Sequence, residues 1–153
     1  MRALHDHFEI REGGVGDLDA VFNLWQQLPG LTLRAEDTPE ALQTPLLDGR
    51  LCLYVAESTA DIVGALLVGD DGRRGHLYHL AVAERKQGLG LGRALVEVAL
   101  GELAARGIAR SHVFVQLDNE AARAFWASLG WRARADLVVY SQVMPQAELD
   151  YAD

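Results

Sequence analysis

Gly88, Gly90 and Gly92 stand at alternate positions among the basic residues Arg85, Lys86 and Arg93, and lead directly into an apolar run. Glycine lets successive backbone N–H groups converge on an anion. The first turn of a helix adds its own unbonded N–H groups and the positive end of its dipole. The segment before the glycines, His76 to Val82, reads as a buried strand. The segment after them, with Leu91, Ala94, Leu95, Val98 and Leu103 at helical spacing, reads as a helix. A strand, a basic glycine turn and a helix start together form a site for a phosphate.

Two common phosphate spacings are absent. The pattern GxxxxGK[ST] needs a Lys-Ser or Lys-Thr pair that does not follow these glycines, and GxGxxG would need glycine at Arg93 or at Leu95. The turn also sits mid-chain, not after the first strand. What is present is Gln87-x-x-Gly90-x-Gly92, followed downstream by DNEAARAFWASLGW, Asp118 to Trp131.

In these two blocks, in this order, the chain resembles the GNAT superfamily of N-acetyltransferases, and the likeness runs over nearly its whole length. The resemblance implies an α/β (α+β) domain over 1–145, with a central mixed, mostly antiparallel twisted sheet of about seven strands and about four helices. It implies an enzyme that moves an acetyl group from acetyl-CoA to a primary amine; the lone cysteine suits a reducing, cytoplasmic interior, and no metal is expected. Residues 146–153 read as a polar, acidic tail.

The resemblance also assigns roles. Backbone N–H groups of Gln87, Gly88, Gly90, Gly92 and Arg93 would hold the CoA pyrophosphate, within a turn that includes Arg85, Lys86, Leu89 and Leu91. Leu80, Ala81 and Val82 would pair their backbone with the pantetheine arm, and the backbone around Ala81 would polarise the thioester carbonyl. Asn119, Ala122, Phe125 and Trp126 would line the arm's other side.

A lysine-like amine, with a pKa of ~10.4, is almost wholly protonated at neutral pH, so a base must take a proton before attack. His79 is the first candidate, because imidazole titrates near working pH and its strand leads into the acetyl site. Plain alternation puts Leu77, His79 and Ala81 on one face, and His76, Tyr78, Leu80 and Val82 on the other. A bulge would change that phase and bring Tyr78 to the cleft. Many family members carry tyrosine at the second aromatic of the late block, where it protonates the departing thiolate. Here that position is Trp126, whose indole N–H donates a hydrogen bond but is no acid. Tyr78, Tyr140 and water are the substitutes, and Trp126 also fits a core position beside Ala122 and Leu129.

Glu36 and Asp37, ahead of a helix start at Thr38-Pro39, could steer an ammonium substrate, but acidic residues there are ordinary helix chemistry. The other expected elements are a strand Phe8 to Arg11, a helix Asp17 to Leu28 and an antiparallel pair, Leu51 to Glu57 with Ile62 to Gly69. After the long helix ends at Gly107 come a strand Ser111 to Leu117, a helix Asn119 to Leu129, and two closing strands, Trp131 to Ala135 and Val138 to Met144.

With 153 residues, half of them hydrophobic, the chain suits one sizeable core. A net charge of −8 argues against nucleic acid as a partner, and no apolar run is long enough to span a membrane. The N-terminus is too polar for a signal peptide. The lone Cys52 reads as a small buried residue, and the scattered histidines at 5, 7, 76, 79 and 112 as incidental to metal binding. The closing strands offer a surface for a homodimer. The reading from a different class is an acyl-CoA-binding sensor with little or no transferase activity.

Overall fold

The computed structural model describes residues 7–145. The chain forms two compact units, the first ending at Phe114 and the second starting at Val115.

The first unit is built on a sheet of β1 (Glu9–Gly13), β2 (Leu51–Ser58), β3 (Asp61–Asp70), β4 (Arg74–Val82) and β5 (Arg110–Val113), in that spatial order. The first four strands pair antiparallel and β5 joins β4 in parallel. The helices are α1 (Leu18–Gln26), α2 (Pro39–Leu47) and α3 (Leu91–Ala105). The second unit contains α4 (Glu120–Ser128).

The expected class is therefore found, with five strands among the described residues instead of about seven. The two expected closing strands, Trp131 to Ala135 and Val138 to Met144, have no ladder partner among the described residues. Val138, Val139 and Tyr140 are 64% or more exposed. A strand exists only against a neighbour, and side-chain type cannot supply one. The strand expected to run to Leu117 likewise ends at Val113. The expected tail lies outside the described residues.

The ladder register gives each face its helix. Cys52, Tyr54, Gly64, Leu66 and Val68 share one face, and α3 covers it: a Cβ on Gly64 would stand 2.5 Å from Leu91 Cδ2 and 3.1 Å from Leu95 Cδ1. The buried stripe of α3 is Leu91, Leu95, Val96, Ala99 and Leu103. It is rotated from the expected one, for Val98 is 39% exposed. At its far end Gly107, with φ +82°, makes a Schellman stop. Gly107 N–H donates to Ala104 O, and Ile108 N–H to Leu103 O. Arg106 ties that end to the sheet through Asp70 at 3.0 Å and the sulfur of Cys52 at 3.1 Å. Cys52 is thus half-buried and polar-bonded, not simply apolar filling.

Arg11 anchors the start of α1 to the opposite face. Its guanidinium grips both oxygens of Asp17, at 2.8 and 2.9 Å, and reaches Glu57 at 3.2 Å. The Arg11 guanidinium, with the N–H of Gly14, holds the Asp17 carboxyl below its ordinary value of 3.8. α2 starts as expected: Thr38 Oγ1 accepts from Ala41 N–H at 3.2 Å and Pro39 occupies the first turn.

Two outcomes test this packing. Gly64→Ala forces a methyl against Leu91 and should cost about 1–3 kcal/mol by chemical denaturation. Because Leu91 begins α3, the same change should disturb the turn before it. Asp17→Asn should cost about 1 kcal/mol at neutral pH. Since folding lowers the Asp17 pKa, its contribution is complete above the unfolded value and fades as pH falls through the folded one. Wild type and variant should therefore converge in acid melts.

Candidate active site

Two features of β4 shape the site. The first is a bulge. Ala81 pairs with Ala65 and Tyr78 with Leu67, so His79 and Leu80 together oppose the single residue Leu66. His79 takes up the extra length at φ +53°, in the left-handed region that non-glycine residues rarely occupy. Plain alternation fails in consequence. Tyr78 shares a face with Ala81, and Leu77 shares the other with Val82. The phase change that a bulge would bring is present.

Three elements meet at the bulge. Trp25 of α1, 1% exposed, donates its indole N–H to the carbonyl of His79 at 3.1 Å. Its ring meets the imidazole edge-on at 5.0 Å. His79 Nε2 lies 2.9 Å from Asp37 Oδ1, and the two side chains are only 19% and 15% exposed. Asp37 belongs to a single 3₁₀ turn, Ala35–Asp37, just before α2. Trp25 did not stand out in the sequence as a site residue, and Asp37 did so only with Glu36, as a carboxylate that could steer an ammonium substrate. A buried indole needs an acceptor for its N–H, and that was the one signal for Trp25. Asp37 gave no signal that distinguished it from Glu36.

The second feature is a divergence. β5 pairs with β4 only from Arg74 to Leu77. From Tyr78 to Val82 the β5-facing edge of β4 has no ladder partner among the described residues. Such an edge carries backbone groups able to accept an extended ligand as an added strand.

That open edge runs into the glycine turn. A 3₁₀ turn, Glu84–Lys86, follows the strand, and the side-chain amide of Gln87 donates to Val82 O at 3.0 Å, folding the turn back on the strand. The backbone N–H of Gln87 donates to Glu84 O at 3.2 Å, so it already has an acceptor. Gly88 and Gly90 have φ +80° and +82°, and Gly90 is the N-cap of α3. A Cβ at either would touch nothing within 4 Å. Glycine is needed there for its backbone conformation and not to relieve crowding, and the turn faces open space. The first helical bond runs from Ala94 N–H to Gly90 O, which leaves the N–H groups of Leu91, Gly92 and Arg93 without intrahelical acceptors. Arg85 and Arg93 have partners, Asp61 at 3.8 Å and Glu97 at 3.1 Å, in ion pairs exposed enough to exchange readily.

Of the tyrosines, Tyr78 lies on β4. Partial burial pushes its phenol above the ordinary 10.0, so at neutral pH it is protonated and able to donate. Tyr140 is 94% exposed in a segment without strand structure. His76 and His112 are ladder partners with rings 6.0 Å apart. Among the described residues no cluster of three or more His, Cys, Asp or Glu could hold a metal. No described helix is long and apolar enough to cross a membrane.

Within the second unit, Asn119 caps α4 by accepting from Ala122 N–H at 3.0 Å. The Leu-Gly-Trp sequence at the other end is a Schellman stop. Gly130, at φ +88°, donates to Ala127 O, and Trp131 N–H donates to Trp126 O. The ring of Trp131 packs on that of Trp126 at 4.7 Å, and Phe125 meets Trp126 at 5.2 Å. Trp126 is 7% exposed.

A mixed sheet whose bulged strand leaves one edge open toward a glycine turn and a helix start is an α/β arrangement suited to an extended anionic ligand. The model of the Acetyltransferase (GNAT) family matches residues 18–131, and the chain belongs to that family. An acetyltransferase of Pectobacterium atrosepticum is 35% identical over 114 residues, 74% of this chain and 79% of the relative. An acetyltransferase of Yersinia enterocolitica is 28% identical over 92% of this chain and 99% of its own length. Among solved structures, AAC(6')-Iy, in complex with the bisubstrate analogue CoA-S-monomethyl-acetylneamine, has a TM-score of 0.75 at 17% identity. The alignment covers 90% of this chain and 99% of that one. An acetyltransferase of Clostridium acetobutylicum, solved with acetyl-CoA, has a TM-score of 0.73 at 12% identity over 88% of this chain and 96% of that one.

The bond from Trp25 to the bulge is directly testable. Trp25→Phe keeps an aromatic ring but leaves the His79 carbonyl unpaired, and should cost about 1–3 kcal/mol in a denaturant melt.

Proposed function

We propose that this protein is an N-acetyltransferase that moves the acetyl group of acetyl-CoA to a primary amine of a small molecule or peptide, by direct attack on the thioester. The observation that carries this reading is the open edge of β4 leading into the left-handed glycine turn. An extended arm added along Tyr78 to Val82 would bring its terminal phosphates to the start of α3. Family members solved with CoA ligands support the same donor.

The residues present fit such a donor. Gly88 and Gly90 leave the mouth of the turn open, and the N–H groups of Gly92 and Arg93 point out of the helix start toward an anion. Leu80, Ala81 and Val82 offer backbone groups to the arm. Arg85, Lys86 and Arg93 give this turn a local positive field on a chain of net charge −8.

For the reaction, the amine must lose a proton as its nitrogen bonds to the carbonyl carbon. His79 accepts that proton. The C–S bond then breaks, and the sulfur departs as a thiolate, tolerable as a leaving group because a thiol pKa is ~8.5. Tyr78, protonated at neutral pH, or water supplies the final proton. Trp126 takes no part in this step, because an indole N–H is no acid.

Isothermal titration with acetyl-CoA beside desulfo-CoA, ATP and NAD tests the donor. Selective micromolar binding of acetyl-CoA is expected, and none from a folded protein would end the proposal. Gly90→Ala forces an L-residue into the left-handed region, costing about 1–2 kcal/mol, and should raise the Kd for acetyl-CoA while leaving the fold intact by circular dichroism. His79→Gln should lower kcat by ~10²–10⁴-fold with little change in the KM for acetyl-CoA. Binding without turnover over a broad amine panel would make the protein a sensor.

A further inference from the structure

We infer that Asp37 is a positioning residue that fixes which nitrogen of His79 receives the proton, making Nδ1 the accepting atom. The inference rests on the reading of His79 as the base.

Both oxygens of Asp37 are engaged. Oδ2 accepts the backbone N–H of Arg34 at 2.9 Å, and Oδ1 lies 2.9 Å from His79 Nε2. A backbone N–H can only donate, so the first contact sets the carboxylate's orientation. An ionised carboxylate can only accept, so His79 must present Nε2–H to Oδ1. A neutral imidazole carries one ring proton, and Nδ1 is then left with the lone pair. The ring has little freedom to escape this choice. Its backbone is held by the Trp25 indole on His79 O, and its edge lies against the Trp25 ring.

The groups packed on the imidazole have distinct characters. The 3₁₀ turn brings the carboxylate of Asp37, and α1 brings the uncharged indole of Trp25. When Nδ1 takes the amine proton, the new imidazolium is already paired at Nε2 with a carboxylate, and no side chain has to move. The same contact joins the segment between α1 and α2 to the donor strand, 42 positions away in sequence.

Asp37→Asn makes a sharp test because an amide has one acceptor where the carboxylate has two. Two donors, Arg34 N–H and His79 Nε2–H, would compete for a single oxygen. The backbone donor cannot change, but the imidazole can change its tautomer. The amide oxygen should stay with Arg34 and its NH₂ should face the ring. Nε2 must then carry the lone pair and Nδ1 the proton, so the accepting atom is turned away from the amine.

Ring nitrogen NMR on the full chain, with the His79 signals assigned by their loss in His79→Gln, reads the tautomer independently of activity. Wild type should show protonated Nε2 and Asp37→Asn protonated Nδ1. Turnover of Asp37→Asn should fall ~10²–10⁴-fold with the KM for acetyl-CoA unchanged, and the change should have no further effect in a His79→Gln background. A wild-type ring protonated at Nδ1 overturns the inference without any variant, so the test survives a substitution that fails to fold. An unchanged tautomer in Asp37→Asn, or an equal loss of turnover in the His79→Gln background, overturns it as well. A His79→Gln enzyme with wild-type turnover instead overturns the reading of His79 as the base, and with it any catalytic part for Asp37. The spectrum then still reports whether Asp37 sets the ring proton.

Discussion

Between Tyr78 and Ala81, β4 holds two residues where β3 holds one, and His79 bears the cost at φ +53°. A left-handed L-residue costs about 1–2 kcal/mol. It persists here because the indole bond to its carbonyl and the carboxylate at its ring return a comparable amount, at about 0.5–1.5 kcal/mol for a neutral hydrogen bond and more for a charged one. The extra residue changes the strand's phase and turns its edge. Pairing with β5 ends at Leu77, immediately before the bulge, as expected where a bulge increases local twist. One insertion thus presents the imidazole, releases the strand edge and aligns that edge with the turn. Strain, open edge and candidate base are three aspects of the same backbone event.

The glycine turn follows the same logic of backbone over side chain. Gly88 and Gly90 pack against nothing, and their value lies in conformations that direct N–H groups outward at the start of α3. Behind them Leu91 is 1% exposed and sits where Gly64 has no side chain. The helix whose N-terminus would meet an anion is therefore seated where Gly64 lets Leu91 approach the sheet. Surface charge contributes less. The arginines of the turn have nearby carboxylates, while the backbone donors and the helix dipole are fixed by the fold and are not weakened by side-chain motion.

The late aromatic block shows how one motif can carry a family signature and a structural task together. Leu-Gly-Trp ends α4 with the two paired bonds of a Schellman stop, and the apolar contact that accompanies such stops is the Trp126–Trp131 ring pair. Trp126 thus meets both Phe125 and Trp131 edge-on.

Much was written in local chemistry. The helix ends at Thr38-Pro39, Gly107 and Gly130, the β2–β3 hairpin, and the strand–glycine–helix order follow from caps, turn residues and periodicity, which act over a few positions. The two motif blocks, read together, were sufficient for the family. Tertiary structure decided what depends on partners distant in the chain. Val138 to Met144 has the composition of a strand, but a ladder needs a neighbour that composition does not specify. The rotation of α3 that exposes Val98 was set by the shape of the sheet beneath it. Asp37 and His79, and Trp25 and His79, meet only because α1, the 3₁₀ turn and β4 converge at the bulge. No spacing along the chain encodes those meetings, because a side chain's partner across a core is set by packing and not by sequence distance.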